Sequence, residues 1–270
     1  VISDAQPRLR VIFLNAWGGA LFEDLTNWIP TAAADILCLQ EVTRTADLSG
    51  WTNFRDGARS LPQRADLFDD VRRLLPGHQA LFDASDAGPV ADDLGQVHRQ
   101  EFGLGMFVTA GAPIAARSAR FVHGEFTDHS DWPVDGRPRV AQAVRLEHRG
   151  RPVLIVHVHG LRVGGGKGDT EARQAQADRL ADLVEECRRP GDLVILGGDL
   201  NLLPSSETFA ILGRAGLVDL VGPATTRTSH YSKEVRHASY LLVSDPSAVA
   251  RFEIVRAPEV SDHCPLLVEI

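Results

Sequence analysis

Apolar residues along this chain come in short blocks, and polar residues stand where the blocks end. Leu9 to Leu14 is apolar at alternate and then at consecutive positions, which reads as a strand. Asp35 to Gln40 (DILCLQ) reads as a buried strand. Gln79–Phe82, Leu104–Thr109, Val140–Glu147, Val153–Val158, Leu193–Leu196, Tyr240–Val243, Arg251–Val255 and Leu266–Glu269 read as further strands. The clearest helix is Thr170–Arg188, where Ala177, Leu180, Ala181 and Val184 follow the helical period. Glu23–Ala34, Arg64–Leu75 and Ser206–Ala215 are the other helices, and Pro76-Gly77 stops the second of them. Asp83–Gly95, rich in Asp, Ala and Gly, reads as a loop, as do Thr127–Pro138 and the glycine run Gly164–Gly168.

Strands outnumber helices and do not alternate with them one for one. That pattern favours an α/β (α+β) sandwich of two mixed β-sheets packed face to face, with helices outside, over a doubly wound parallel sheet. No linker divides the chain, so residues 1–270 are expected to form one domain.

Composition changes this picture only in part. The chain of 270 residues has 36 acidic and 28 basic side chains, a formal net charge of −8. Such a field repels polyanions and lowers the expectation of a nucleic-acid partner, which usually needs a basic face. The three cysteines, Cys38, Cys187 and Cys264, lie far apart with no CxxC pair, which argues against a cysteine zinc site. Free thiols in apolar runs fit a reducing, cytoplasmic compartment, although a leader already removed would leave no trace. No run of 18 apolar residues suggests a membrane span.

The informative residues stand at strand ends, where rigid scaffolds usually place reactive groups. VIFLNAWGG delivers Asn15 to the edge of the core, and DILCLQEV does the same for Glu41. LIVHVHG presents His157 and His159 on one side of a strand, and one of the two is expected to be structural. LVILGGDLN presents Asp199 and Asn201, and VSDHCPLLVEI sets Asp262 and His263 just before the last strand. Each has a plainer reading alone: a turn asparagine, a solvated strand end, a cap. Together, three carboxylates and two carboxamides are hard oxygen ligands suited to Mg²⁺ or Mn²⁺. Two histidines add proton transfer or charge stabilisation near neutral pH. A cation that polarises a phosphoryl oxygen and a carboxylate that orients water suffice for phosphate-ester hydrolysis.

The ordered set LNAWGG, LCLQEV, VHVHG, ILGGDLN and VSDHCPL resembles the endonuclease/exonuclease/phosphatase superfamily, with its deoxyribonuclease-like fold, from about Leu9 to Ile270. The resemblance implies a four-layer sandwich with the site at one rim of the two sheets. It implies that Glu41 ligates the metal with Asn15 beside it, and that Asp199 orients or deprotonates the attacking water. Asn201 would hold a phosphoryl oxygen, and His159 would act near the leaving group or phosphate. His263 would stabilise developing charge or transfer a proton, with Asp262 close to the metal or to His263. One departure stands out. In RHASYLLVS, Ser239 occupies the place where relatives carry an aspartate that braces the last histidine. A serine supplies no negative charge to that imidazole. His237, two residues earlier, is expected on the same side of the strand, where it could remodel this corner.

Lys167, Asp169 and Arg173 follow the glycine run and could either contact a substrate phosphate or form a solvated helix start. Arg173 is carried, with Asn201 and His159, as a candidate substrate-binding residue. Arg227 and Lys233 pose the same choice, and core packing is the simpler reading of Trp17, Trp51 and Trp132. The leading function is a metal-dependent hydrolase of a small or lipid-like phosphate ester. Alternatives are a Mg²⁺-dependent nuclease acting on DNA or RNA, a catalytically weakened binding module, or the same metal site turned to another reaction.

Overall fold

The computed structural model describes residues 8–57, 59–164 and 166–270. Among these, strands build two mixed sheets. The nine-stranded sheet runs in the order β14 (Arg251–Ile254), β15 (Leu266–Glu269), β1 (Arg10–Asn15), β2 (Ile36–Arg44), β6 (Val97–Thr109), β5 (His78–Asp92), β3 (Trp51–Asp56) and β4 (Arg59–Arg64), with β8 (Thr127–Asp128) beside β5. The six-stranded sheet runs β12 (Val218–Asp219), β13 (Ser239–Val243), β11 (Leu193–Asp199), β10 (Arg151–His159), β9 (Arg139–His148) and β7 (Ile114–His123).

Alternation along the central strands builds the layers. Val11 and Phe13 of β1 and Cys38 of β2 join the large core cluster that includes Ile155 and Ile195 of the other sheet. Ile12, Leu14, Leu37 and Leu39 point the opposite way. They pack with Leu25 and Ile29 of α1 (Phe22–Ala32) and Leu67 and Val71 of α2 (Leu67–Leu74). On the far sheet, Leu180, Leu183 and Val184 of α3 (Glu171–Cys187) and Leu212 of α4 (Thr208–Arg214) belong to the large cluster. Both faces of the central strands are therefore apolar, which is why their sequences read as near-continuous hydrophobic blocks.

Several expectations need correction. Asp83–Gly95 is not a loop: most of it is the second half of β5, paired with β6 along its length around a bulge between Ala84 and Asp86. Its acidic residues are strand residues with partners, Asp83 with Arg117 and Asp86 with Arg137. Arg64 closes β4 rather than opening a helix; α2 starts at Leu67 and is capped by Asp66, which accepts from the Asp69 N–H at 2.9 Å. The strands β3, β4 and β7 carry too many polar residues to show a clean alternation and were not expected. Of the glycine run Gly164–Gly168, Gly165 lies outside the described residues. No described helix is long and apolar enough to cross a membrane.

Candidate active site

Two parallel strand pairs set the site. β1 runs parallel to β2, and β10 runs parallel to β11, in register from Val153↔Leu193 to His159↔Asp199. The carboxyl ends of β1, β10 and β11 thus deliver Asn15, His159 and Asp199 to one rim, and Glu41 reaches it from within β2, which runs on to Arg44. The antiparallel strand β13 starts at the same rim, with Ser239 opposite Asp199. The segment before β15 brings Asp262 and His263 there as well, and Arg227 bridges to His263.

Local backbone features aim these groups. On β2 the register with β6 shifts between Leu39 and Val42, and Glu41 inside this bulge has φ +55°. A bulge re-aims a side chain that regular pleating would turn away. Asn201 and Trp17 are also left-handed, at φ +55° and +53°. Such positive angles cost energy for non-glycine residues and collect at functional sites. The two glycines before Asp199 answer close approaches. A Cβ on Gly198 (φ +142°) would sit 1.9 Å from the Val158 carbonyl oxygen, and one on Gly197 would sit 2.8 Å from the Phe13 ring.

At the centre, the Asn15 amide spans two carboxylates, 3.0 Å from Asp199 Oδ2 and 3.2 Å from Glu41 Oε1. Its Oδ1 accepts from the Trp17 N–H at 3.0 Å. Asp199 Oδ1 accepts from the Asn201 N–H at 3.0 Å, and Oδ2 lies 3.3 Å from His263 Nε2 and 3.7 Å from His159 Nε2. His159 Nε2 is 3.4 Å from Asn201 Nδ2 and 4.0 Å from Glu41 Oε1. His263 Nδ1 lies 2.9 Å from Ser239 Oγ. His157 is the structural member of its pair: buried, it meets Gln40 Nε2 at 2.7 Å and Gln142 Oε1 at 3.0 Å.

The protonation states follow from burial and neighbours. Burial first, then the positive Arg139, push His159 down to about 4. Burial and Arg227 hold His263 well below its usual range even though Asp199 opposes them. Both imidazoles are therefore neutral at pH 7. Burial works against ionisation of Asp199, but His263, His159, Arg227 and Lys167 around it hold its carboxyl well below the usual range. Glu41 is lowered as well: burial opposes, while His159, Arg59 and the Asn15 amide favour the charge. Asp262 moves the other way, up to about 6, through burial and the like charges of Glu41 and Asp199, with Arg227 opposing.

Glu41, His159, Asp199, Asn201 and Asp262 line a cleft of about 710 Å³. Among its described lining residues, Arg and Lys outnumber Asp and Glu eight to six, although the whole chain has 28 to 36. Arg139, buried, donates from Nε to the Gly160 carbonyl and has no carboxylate partner among the described residues. Lys167 donates to the His237 carbonyl, and Arg227 pairs with Asp262. Sequence reasoning missed Arg139, Arg59 and Arg162. The only available signal for Arg139 was an arginine directly preceding an apolar strand.

Two expectations shift here. Arg173 lines the cleft and turns its guanidinium onto the carbonyls of Gly166 and Gly168, at 2.9 Å for the first, so it also braces the glycine loop. His237 precedes β13, so strand alternation does not reach it; its Nδ1 meets the Ala224 carbonyl at 3.2 Å, away from His263. Of the tryptophans, Trp17 lines the cleft, tilted towards His230 at 6.5 Å, while Trp132 is buried against Phe54.

Among the described residues no three His, Cys, Asp or Glu side chains are arranged to cage a metal. The rim offers the carboxylates of Glu41 and Asp262, while Asn15, expected beside the metal, turns its Nδ2 to Glu41 and its Oδ1 to the Trp17 N–H and would present oxygen to a cation only with its amide reversed. This donor set fits a hard divalent cation, which typically takes one or two carboxylates and keeps several waters. Burial chiefly raises Asp262, and the repulsion from Glu41 and Asp199 that adds to it is what a cation beside Glu41 would relieve.

A family model described as "Endonuclease/Exonuclease/phosphatase family" matches residues 12–263. No curated protein matches the sequence. Among solved structures, a mannosyl-6-phosphatase of Bacteroides thetaiotaomicron superposes with a TM-score of 0.65 at 17% identity, covering 97% of this chain and 99% of that one. D. rerio TDP2, complexed with a single-strand DNA product, gives 0.63 at 13% identity, with 98% and 99% covered. The human Nocturnin catalytic domain with a bound sulfate anion gives 0.60 at 19% identity, with 98% and 95% covered. At these identities the likeness is one of fold.

Proposed function

The chain belongs to the endonuclease/exonuclease/phosphatase family, and we propose that its rim cleft hydrolyses a phosphate ester with the help of Mg²⁺ or Mn²⁺. Members of this family are phosphoric ester hydrolases that generally use divalent metals. The observation that carries the reading is Asp199: a buried, ionised carboxylate ringed by Asn15, Asn201, His159 and His263 within 3.0 to 3.7 Å.

Glu41 and Asp262, with Asn15 once its amide is reversed, would hold the cation, which when bound supplies Lewis-acid stabilisation of phosphoryl charge. Asp199 accepts a hydrogen bond from water and aims its oxygen at phosphorus. Its carboxylate is too well stabilised to be a strong base, so orientation is its main contribution. Asn201 offers an amide N–H to a phosphoryl oxygen. His159, neutral at pH 7, offers a hydrogen bond rather than positive charge, and His263, engaged by Ser239 and Asp199, holds Asp199 in place. The positive charge facing the transition state comes from Arg139, Lys167 and Arg227. As the water oxygen bonds to phosphorus the ester oxygen departs, and one water proton ends on it.

The test is a panel of an aryl phosphomonoester, a bis-aryl phosphodiester, phosphorylated sugars and supercoiled plasmid, each with Mg²⁺, Mn²⁺ or EDTA. Turnover of at least one small ester that requires metal and is lost in Asp199→Asn supports the reading. Plasmid cleavage without turnover of any small ester would move it to a nuclease.

A further inference from the structure

The arginines of the cleft fall into two groups. Four have hydrogen-bonded partners: Arg137 closes a two-bond fork on buried Asp86 at 2.7 and 2.8 Å, Arg139 and Arg173 reach backbone carbonyls, and Arg227 holds Asp262. Arg59 and Arg162 do not. Their Nη1 atoms stand 3.9 and 3.7 Å from one oxygen of Asp56, beyond hydrogen-bonding distance. The Arg59 guanidinium also lies over the Phe54 ring at 5.7 Å. Asp56 itself is 5% exposed, so one nearly buried carboxylate sits between two guanidiniums that are each 41% exposed.

That arrangement sets two guanidiniums against one carboxylate and leaves two donor forks open, both lining the cleft that contains Asp199. Planar guanidinium forks match phosphate and carboxylate oxygens in pairs. The backbone of Arg162 is fixed, its carbonyl accepting from the Gly136 N–H at 3.0 Å. We propose that Arg59 and Arg162, anchored by Asp56, form a second anion subsite, and that the substrate is a compact molecule carrying a second phosphate or carboxylate beside the scissile phosphoryl group. This rests on the hydrolase reading for the first phosphoryl group. A cleft of about 710 Å³ is the size of a small-ligand site. The cleft lining carries more cations than anions while the chain as a whole is acidic, which favours a small bis-anion over a duplex.

The test is calorimetric binding to the Asp199→Asn variant in Mg²⁺, with pyrophosphate against inorganic phosphate and fructose 1,6-bisphosphate against fructose 6-phosphate. At least one bis-anion binds about tenfold or more tightly than its mono-anion, the scale of one charge-assisted contact. Arg59→Gln and Arg162→Gln, added singly so that Asp56 keeps a partner, each remove much of that advantage and weaken the mono-anion by a clearly smaller factor. The proposal is overturned if no bis-anion is preferred, if the preference survives both variants, or if a short single-stranded oligonucleotide outbinds every bis-anion. Phosphate release by the unmodified protein is read separately. Preference without release leaves the subsite standing and removes the hydrolase reading; release without preference does the reverse.

Discussion

Ser239 Oγ lies 2.9 Å from Nδ1 of His263, the buried imidazole that faces Asp199 from its other nitrogen at 3.3 Å. A hydroxyl satisfies that nitrogen but brings no charge. Burial and Arg227 then keep His263 neutral. A carboxylate in the same place would accept Nδ1–H and favour the imidazolium. Ser239→Asp is therefore expected to raise turnover on simple phosphodiesters and to move the limb of the pH–rate profile that reports His263 deprotonation to higher pH. Kinetics across pH, with thermal denaturation as a control for the added buried charge, checks this. An unchanged profile and unchanged turnover would show that His263 does not act through its charge.

Lys167 gives a second pH dependence. Burial, with Arg227 and Arg173, lowers its ammonium to about 8, against the pull of Asp199. Below that value it is cationic and favours an anionic substrate; above it the charge is lost. KM is expected to rise between about pH 7 and about pH 9, with kcat less affected. Lys167→Met should raise KM at the lower pH and flatten the rise. A slope unchanged in the variant would assign the effect to another group.

Asp199→Asn should lower kcat by roughly two orders of magnitude or more, the usual loss when a group that handles the reacting water is removed. Substrate binding should change much less, since the phosphoryl oxygens are held by other side chains. Steady-state kinetics on the best panel substrate reads both. Near-normal kcat would mean that Asp199 does not position the water.

The wall of the cleft makes a stability prediction. Arg137 is held by Asp86 and lies 4.2 and 4.4 Å from the ring centres of Phe102 and Trp132. Asp86→Ala would leave that guanidinium buried and unpaired, a change that costs about 3–5 kcal/mol. Denaturant unfolding measures it. A loss under about 1 kcal/mol would mean that Arg137 escapes to solvent when released.

Much of the sandwich was legible because its central strands are apolar on both faces and end in polar residues. Asn15, His159 and Asp199 could be found at carboxyl ends for that reason. Glu41 was legible as the end of an apolar run, but not the bulge that turns it into the site, since one extra residue leaves no mark on the apolar pattern. The outer strands were hidden by ion pairing: Asp83 and Asp86 make β5 look like a loop until Arg117 and Arg137, 34 and 51 positions away, complete them. The cationic lining was hidden for the same reason. Arg59, Arg139, Arg162 and Arg227 come from separate segments, and only the fold collects them. Chain-wide net charge averages them away.

The central claim, that this cleft uses a divalent cation to hydrolyse a phosphate ester, is tested most directly by turnover of the best panel substrate after exhaustive EDTA dialysis and stepwise return of Mg²⁺ or Mn²⁺. The account predicts loss of activity in EDTA, recovery on titration, and a higher metal requirement in Glu41→Gln, whose fold should be intact by circular dichroism. Full activity in EDTA, or an unchanged metal requirement in Glu41→Gln, would contradict it.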